Sequence, residues 1–182
     1  RMSYYGMRGI LVLFMTASIL DGGLDFSNAS ASAIYGIYAA SVYLATLPGG
    51  WIGDNLFGQQ KTILYGGIII MLGHLSLAIP NINSFYMGLI LVVIGTGLLK
   101  PNISALVGSL YENNTELRQS GFTIFYMAIN IGSILGFFIC GYLGENIGWH
   151  YGFGAAGIGM ALGLMQYIYN MKLLEGYGAE PF

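Results

Sequence analysis

Gly95-Thr-Gly-Leu-Leu-Lys100-Pro-Asn-Ile-Ser-Ala-Leu-Val-Gly108 is the stretch that decides how this chain folds. Lys100 stands in the second half of a long apolar run. No Asp, Glu, Lys or Arg occurs from Thr62 to Leu99, and apolar character resumes at Ile103. On a soluble surface such a lysine would be ordinary. In a membrane helix, an ammonium near the bilayer centre costs roughly 2.5–3.5 kcal/mol on insertion scales. It then needs a partner or a water-filled cavity, and it marks a functional site.

The composition selects the membrane. Hydrophobic residues make up 55% of the chain and charged residues 8%, against about 25% charged in an ordinary soluble domain. Glycine is abundant, 29 of 182 residues, as suits helices that pack backbone to backbone. A net charge of −2 without a basic patch offers nothing to nucleic acid. Cys140 is the single cysteine, so neither a disulfide framework nor a cysteine metal site is expected. No metal ligand set and no cofactor signature stands out. The chain opens on Arg1 without a cleavable signal pattern and reads as a fragment that starts partway into its first helix.

The positions of the charges outline an all-α membrane protein. Six spans are expected, over residues 2–20, 31–51, 62–79, 84–108, 119–143 and 150–171, close to the ~20 apolar residues that a spanning helix needs. Turn chemistry separates them at Asp21-Gly-Gly, Asn55 to Gly58, Pro80-Asn-Ile-Asn, Glu112-Asn-Asn and Gly144-Glu-Asn. Lys61, Arg118 and Lys172 follow the second, fourth and sixth spans, and the other loops hold no Lys or Arg. By the positive-inside rule the N-terminus is cytoplasmic.

Candidate site residues are the polar groups inside these spans. Arg1, Tyr5 and Arg8 share one face of the first helix. For Arg1, snorkelling to the interface and a cavity role both fit. Arg8, two turns deeper beside Tyr5, reads as a cavity-lining cation. In the second helix, Tyr35 and Tyr38 lie near the outer end, where an aromatic belt accounts for them; Tyr43 is deeper and reads as packing when taken alone. His74 reads as a hydrogen-bonded structural histidine, since no carboxylate or cysteine accompanies it. Lys100 precedes Pro101, which loosens the helix, and no acidic residue lies in any expected helix interior to pair with it. In the fifth helix Tyr126 and Asn130 point the same way, and Gly132 and Gly136 form a close-packing face. Gly159 and Gly163 have the same spacing in the sixth helix, which reads as scaffold.

The loop Gly49-Gly50-Trp-Ile-Gly53-Asp54-Asn55-Leu-Phe-Gly58-Gln59-Gln60-Lys61 resembles the signature loop of the major facilitator superfamily. Asn55, Gln59 and Gln60 stand where that family usually has arginines, leaving Gly50, Asp54, Gly58 and Lys61 of the pattern. Three further blocks are similar to the proton-dependent oligopeptide transporters within that superfamily: Arg1 to Arg8 with Tyr-Tyr-Gly, Leu98-Leu-Lys-Pro-Asn102, and Phe125-Tyr-Met-Ala-Ile-Asn-Ile-Gly132. The family's two glutamates would precede Arg1.

The resemblance implies the N-terminal six-helix bundle, built of 3+3 inverted repeats, of a multi-pass cell-membrane symporter. It implies uptake of di- and tripeptides with protons as the coupling ion, no catalysis, and a second six-helix bundle in the same full-length protein. It implies that Tyr5, Arg8, Tyr43, Tyr126 and Asn130 bind substrate, and that Arg1 and Lys100 couple proton binding to alternating access. Transport of nitrate or another small organic anion would use Arg8 equally. A channel or an intramembrane enzyme is the reading from a different class. No paired catalytic side chains within a helix speak for the enzyme, and no short pore motif speaks for the channel.

Overall fold

The computed structural model describes residues 1–111, 115–174 and 176–181. Six helices account for most of them: α1 Met2–Thr16, α2 Asn28–Ile52, α3 Gln59–Leu77, α4 Ile82–Leu110, α5 Thr115–Asn146 and α6 Trp149–Asn170. Three are long and apolar enough to cross a membrane by length and composition: α2 with the π-helical turn Gly53–Phe57 that continues it, α4, and Glu116–Asn146 of α5.

The helix ends differ from the sequence expectation for local reasons. α1 stops at Thr16, not at residue 20, because Ala17 turns extended and Ser18 caps a 3₁₀ turn, Ile19–Asp21. Ile19 and Leu20 look helical by apolarity yet stand exposed. α2 starts earlier than expected because the Ser27 hydroxyl accepts from the backbone N–H of Ser30. α5 is longer at both ends, since it runs beyond its apolar stretch into residues suited to the headgroup layer. The expected Glu112-Asn-Asn turn lies outside the described residues.

The packing carries an internal symmetry. The helix contacts are α3–α4, α1–α5, α2–α4, α3–α6, α5–α6 and α1–α6, with slighter ones between α1 and α2 and between α4 and α5. Exchanging α1 with α4, α2 with α5 and α3 with α6 turns α2–α4 into α1–α5, α3–α4 into α1–α6, and α1–α2 into α4–α5. The α3–α6 contact maps onto itself, α3–α4 is much more extensive than its counterpart α1–α6, and α5–α6 has no comparable counterpart between α2 and α3. This is the pattern that 3+3 repeats produce.

Glycine allows the closest approaches. A Cβ on Gly136 would collide with the Met2 carbonyl, and one on Gly6 would come within 2.9 Å of the Gly136 carbonyl, so α1 and α5 touch through backbone. The Gly132/Gly136 face therefore packs as its spacing predicts, whereas Gly163 meets nothing within 4 Å. The core fills the half of the bundle toward the α1–α2 turn. There Phe14 meets Phe153, Phe85 and Trp149 at ring distances of 5.2, 5.7 and 6.3 Å, within the range of favourable aromatic pairs. At the opposite end the segment after α6 folds back onto the start of α3. Gln60 Nε2 donates to the carbonyls of Leu174 at 2.7 Å and Tyr177 at 2.6 Å, and its backbone N–H donates to Gly178 at 2.9 Å.

Candidate functional site

α1 presents its cations to two different surroundings. Arg8 reaches across to α2, where Nε donates to the Tyr35 hydroxyl at 2.9 Å and Nη2 donates to the same oxygen. Its guanidinium carbon lies 5.4 Å from the centre of the Tyr4 ring and 5.2 Å from that of Tyr35, both within cation–π reach. Tyr38 is buried, 6.3 Å from Tyr35 ring to ring. The two donations to Tyr35 do not use all five guanidinium N–H groups, so donors remain for a ligand.

This corrects the aromatic-belt reading of Tyr35 and Tyr38: both belong to the support of Arg8. Tyr5 shares the α1 face as expected, but its ring contact is edge-on to Tyr4 at 5.4 Å. The partner of Arg8 is Tyr35. Tyr35 was not identifiable from sequence spacing, because its contact with Arg8 joins residues 27 apart on separate helices; Tyr4 lies one turn before Arg8 on α1, a spacing that could have shown it.

Arg1 and Lys100 come together around a second feature. A cavity of about 240 Å³ within the bundle is lined by both cations, by Tyr4, Thr96 and Tyr167, and by apolar side chains. No carboxylate lines it among the described residues. Thr96, one turn before Lys100, is buried with no hydrogen-bond partner for its hydroxyl. Lys100 Nζ sits 4.2 Å from the centre of the Tyr43 ring. Tyr43, 61% exposed, is therefore no packing residue; its ring supplies the contact that the lysine lacks among acids.

The α5 candidates lie on an open face. Tyr126 is exposed and stacks on Phe122 with ring centres 6.4 Å apart. Asn130, one turn on, is exposed as well, and its side-chain amide makes no hydrogen bond among the described residues. A bare amide on a membrane helix is costly against lipid, so this face suits a cavity or another polar surface.

The loop motif and His74 depart from expectation. Asp54 accepts a long hydrogen bond of 3.5 Å from Gln59 Nε2, not from a cation, and Lys61 is exposed. Gly58 has φ +78 and lies against the Ala179 carbonyl, a conformation and a clearance that call for glycine. Gly50 sits near Pro101, 3.6 Å from where a Cβ would be. His74 is fully buried, and neither ring nitrogen has a partner, which corrects the expected hydrogen-bonded role.

The comparisons with known proteins agree with one another. The sequence model of the POT family matches residues 60–178. A protein named peptide transporter YePEPT, from Yersinia enterocolitica, is 46% identical over 99% of this chain and 36% of its own length. A di-/tripeptide transporter from Lactococcus lactis is 45% identical over 100% of this chain and 37% of its own. Among solved structures, a crystal structure of peptide transporter POT in complex with sulfate superposes with a TM-score of 0.95 at 43% identity, covering 98% of this chain and 37% of that one. A POT family transporter in complex with a thioalcohol-conjugated peptide gives 0.93 at 37% identity, covering 99% and 37%. The chain thus spans little more than a third of the length of the relatives it matches.

Proposed function

The chain belongs to the POT family, and from that premise we propose that it is the N-terminal bundle of a proton-coupled symporter of di- and tripeptides. The observation that carries the reading is the seating of Arg8. Its guanidinium is fixed by the Tyr35 hydroxyl and flanked by two ring faces, and its bonds to Tyr35 leave further donors on the fork. A peptide's terminal carboxylate is a planar acceptor pair that such a fork can grip at two points.

Asn130 and Tyr126 supply what a bare anion would not use. An amide donates to and accepts from a peptide bond, and Tyr126 adds a ring and a hydroxyl one turn away. Tyr5 and Tyr43 extend this polar lining. The names of the relatives, a peptide transporter and a di-/tripeptide transporter, support a peptide cargo.

Coupling falls to Arg1 and Lys100. Two cations on one cavity repel each other, and a carboxylate entering between them would relieve that repulsion when charged and lose its hold when protonated. Protonation would then alter how firmly the helices around the cavity are held, as alternating access requires. Protons serve as the coupling ion, and no cofactor is invoked. The remaining partners are the bilayer and a second helical bundle in the full-length protein. The N-terminus, Asp54–Lys61 and Lys172 face the cytoplasm.

The test is counterflow in liposomes containing the full-length protein and a mixed dipeptide pool. Unlabelled di- and tripeptides should compete for uptake, whereas free amino acids, sugars and nitrate should not. Competition by nitrate without competition by dipeptides would replace the peptide reading with the anion one.

A further inference from the structure

α2 and α4 cross where each is interrupted by a proline. Pro48 deprives the Leu44 carbonyl of its helical donor, and Pro101 does the same to the Gly97 carbonyl. Freed backbone of this kind leaves both helices locally soft, and nearby polar side chains are the usual remedy within a bilayer. At this crossing the side chain that bridges the two helices is Asn102, and it binds the carbonyls of Gly49 and Leu98 beside the prolines, not the two freed ones.

Asn102 is 1% exposed. Its Nδ2 donates to the Leu98 carbonyl on α4 at 2.7 Å and to the Gly49 carbonyl on α2 at 2.9 Å. Both amide hydrogens are thereby used, one on each helix. The α2 surface is cut to fit: a Cβ on Gly53 would land on Asn102 Oδ1, and one on Gly49 would land on the Gly97 carbonyl. A Cβ on Gly97 would in turn lie 2.6 Å from that of Ala45. Oδ1 itself is buried without a hydrogen-bond partner. If the position served packing alone, leucine would fill it without an orphan acceptor. The amide is explained by its two donated bonds, which fix α4 on α2 in one register.

That register is also what places Lys100, two residues before Asn102, against Tyr43 of α2 at 4.2 Å. We infer that Asn102 is the positioning residue for Lys100, a clamp across the paired prolines that holds the lysine at the cavity wall. This rests on the coupling role proposed for Lys100. Asn102 touches neither substrate nor proton in this arrangement and acts through the helix crossing.

Two variants test the clamp from opposite sides in the full-length protein reconstituted in liposomes. Asn102→Leu keeps the bulk and removes both donors. Gly53→Ala keeps Asn102 and displaces its amide. In both, accumulation of dipeptide driven by a pH gradient should fall by about fivefold or more, the size expected from losing a buried amide's hydrogen bonds. Dipeptide counterflow, which needs no net proton movement, should stay within about twofold. Backbone hydrogen exchange should quicken over residues 44–53 and 97–102. Normal accumulation in both variants would overturn the inference, as would accumulation and counterflow falling in equal proportion. Unchanged hydrogen exchange would refute the clamp itself. A Lys100→Ala control that accumulates normally would remove the coupling reading, and with it the part assigned to Asn102; hydrogen exchange would still report whether the crossing is clamped.

Discussion

Replacing Tyr35 with Phe isolates the quality that the site gives to Arg8. The substitution removes the hydroxyl that accepts from Nε and Nη2 but keeps the ring that lies 5.2 Å from the guanidinium. Charge and cation–π attraction therefore persist, and only the fixed orientation is lost. Ordering a long side chain at the moment of binding costs about 0.5–1.5 kcal/mol, which converts to a roughly two- to twelvefold rise in the apparent KM for a dipeptide. The maximal rate should change little, because the free arginine can still adopt the bound rotamer. Arg8→Ala removes charged hydrogen bonds worth about 1.5–3 kcal/mol each and should weaken uptake by more than about tenfold. The two changes share one mechanism, so they should not add. In the Arg8→Ala background, Tyr35→Phe should have no further effect on counterflow. An equal further loss in that background would show that Tyr35 contacts substrate independently and would refute the orienting role.

The remaining expectations are separate in kind. Asn130→Ala should weaken dipeptide counterflow less than Arg8→Ala but measurably, since a neutral hydrogen bond is worth about 1 kcal/mol; nitrate-like loss patterns confined to Arg8 would contradict the peptide role of the amide. With Cys140 replaced in the full-length protein, a cysteine at Ser27 should react with an impermeant thiol reagent added outside and one at Gln119 should not, and the reverse would invert the topology. Gly136→Leu should lower the thermal stability of the purified protein, because its side chain would strike the Met2 backbone, while Gly163→Ala, whose Cβ meets nothing within 4 Å inside α6, should leave the melting temperature no lower and raise it slightly through the gain in helix propensity. Gln60→Ala should expose the chain around Leu174 and Tyr177 to added protease by removing the two carbonyl contacts that hold these residues; unchanged cleavage would mean that the backbone bond to Gly178 suffices.

The fold was legible wherever composition and burial are the same fact. Apolar runs of about 20 residues without charge read as helices in a bilayer, and the turn chemistry at Pro80-Asn-Ile-Asn divides the charge-free run that holds α3 and most of α4, so the number and order of α1 to α6 follow from charges and turns together. The ends were less legible, because they are set by single groups such as the Ser27 and Ser18 hydroxyls, not by apolarity. The candidate site divides in the same way. Lys100, Arg8 and Asn130 stand out since each is expensive at its depth. Tyr35 does not, since tyrosine near a helix end has a common interfacial explanation, and only the bend of Arg8 across to α2 reveals its other use. Asn102 was hidden for a related reason: its partners are backbone carbonyls, which leave no trace in the identity of Gly49 or Leu98.

Arg8 and Lys100 differ in how they are held, and the difference matches their proposed work. Arg8 is bonded through two N–H groups to one oxygen and lies between two rings; its charge is permanent, and its position is fixed. Lys100 has a ring face at 4.2 Å and no hydrogen bond from Nζ among the described residues. A cation–π contact is weakly directional and yields readily to a carboxylate, which offers both charge and a hydrogen bond. The lysine can thus rest on Tyr43 while a neighbouring acid is protonated and leave it when the acid ionises. Arginine in its place would stack on the same ring more broadly and bind an acid in a fork, so both of its states would be firmer and the exchange between them slower. Lys100→Arg should therefore keep a cation at the cavity yet accumulate dipeptide under a pH gradient far less than the unmodified protein, with counterflow retained better. Full accumulation by Lys100→Arg would show that charge alone suffices at this position and that the loose hold on the lysine has no part in coupling.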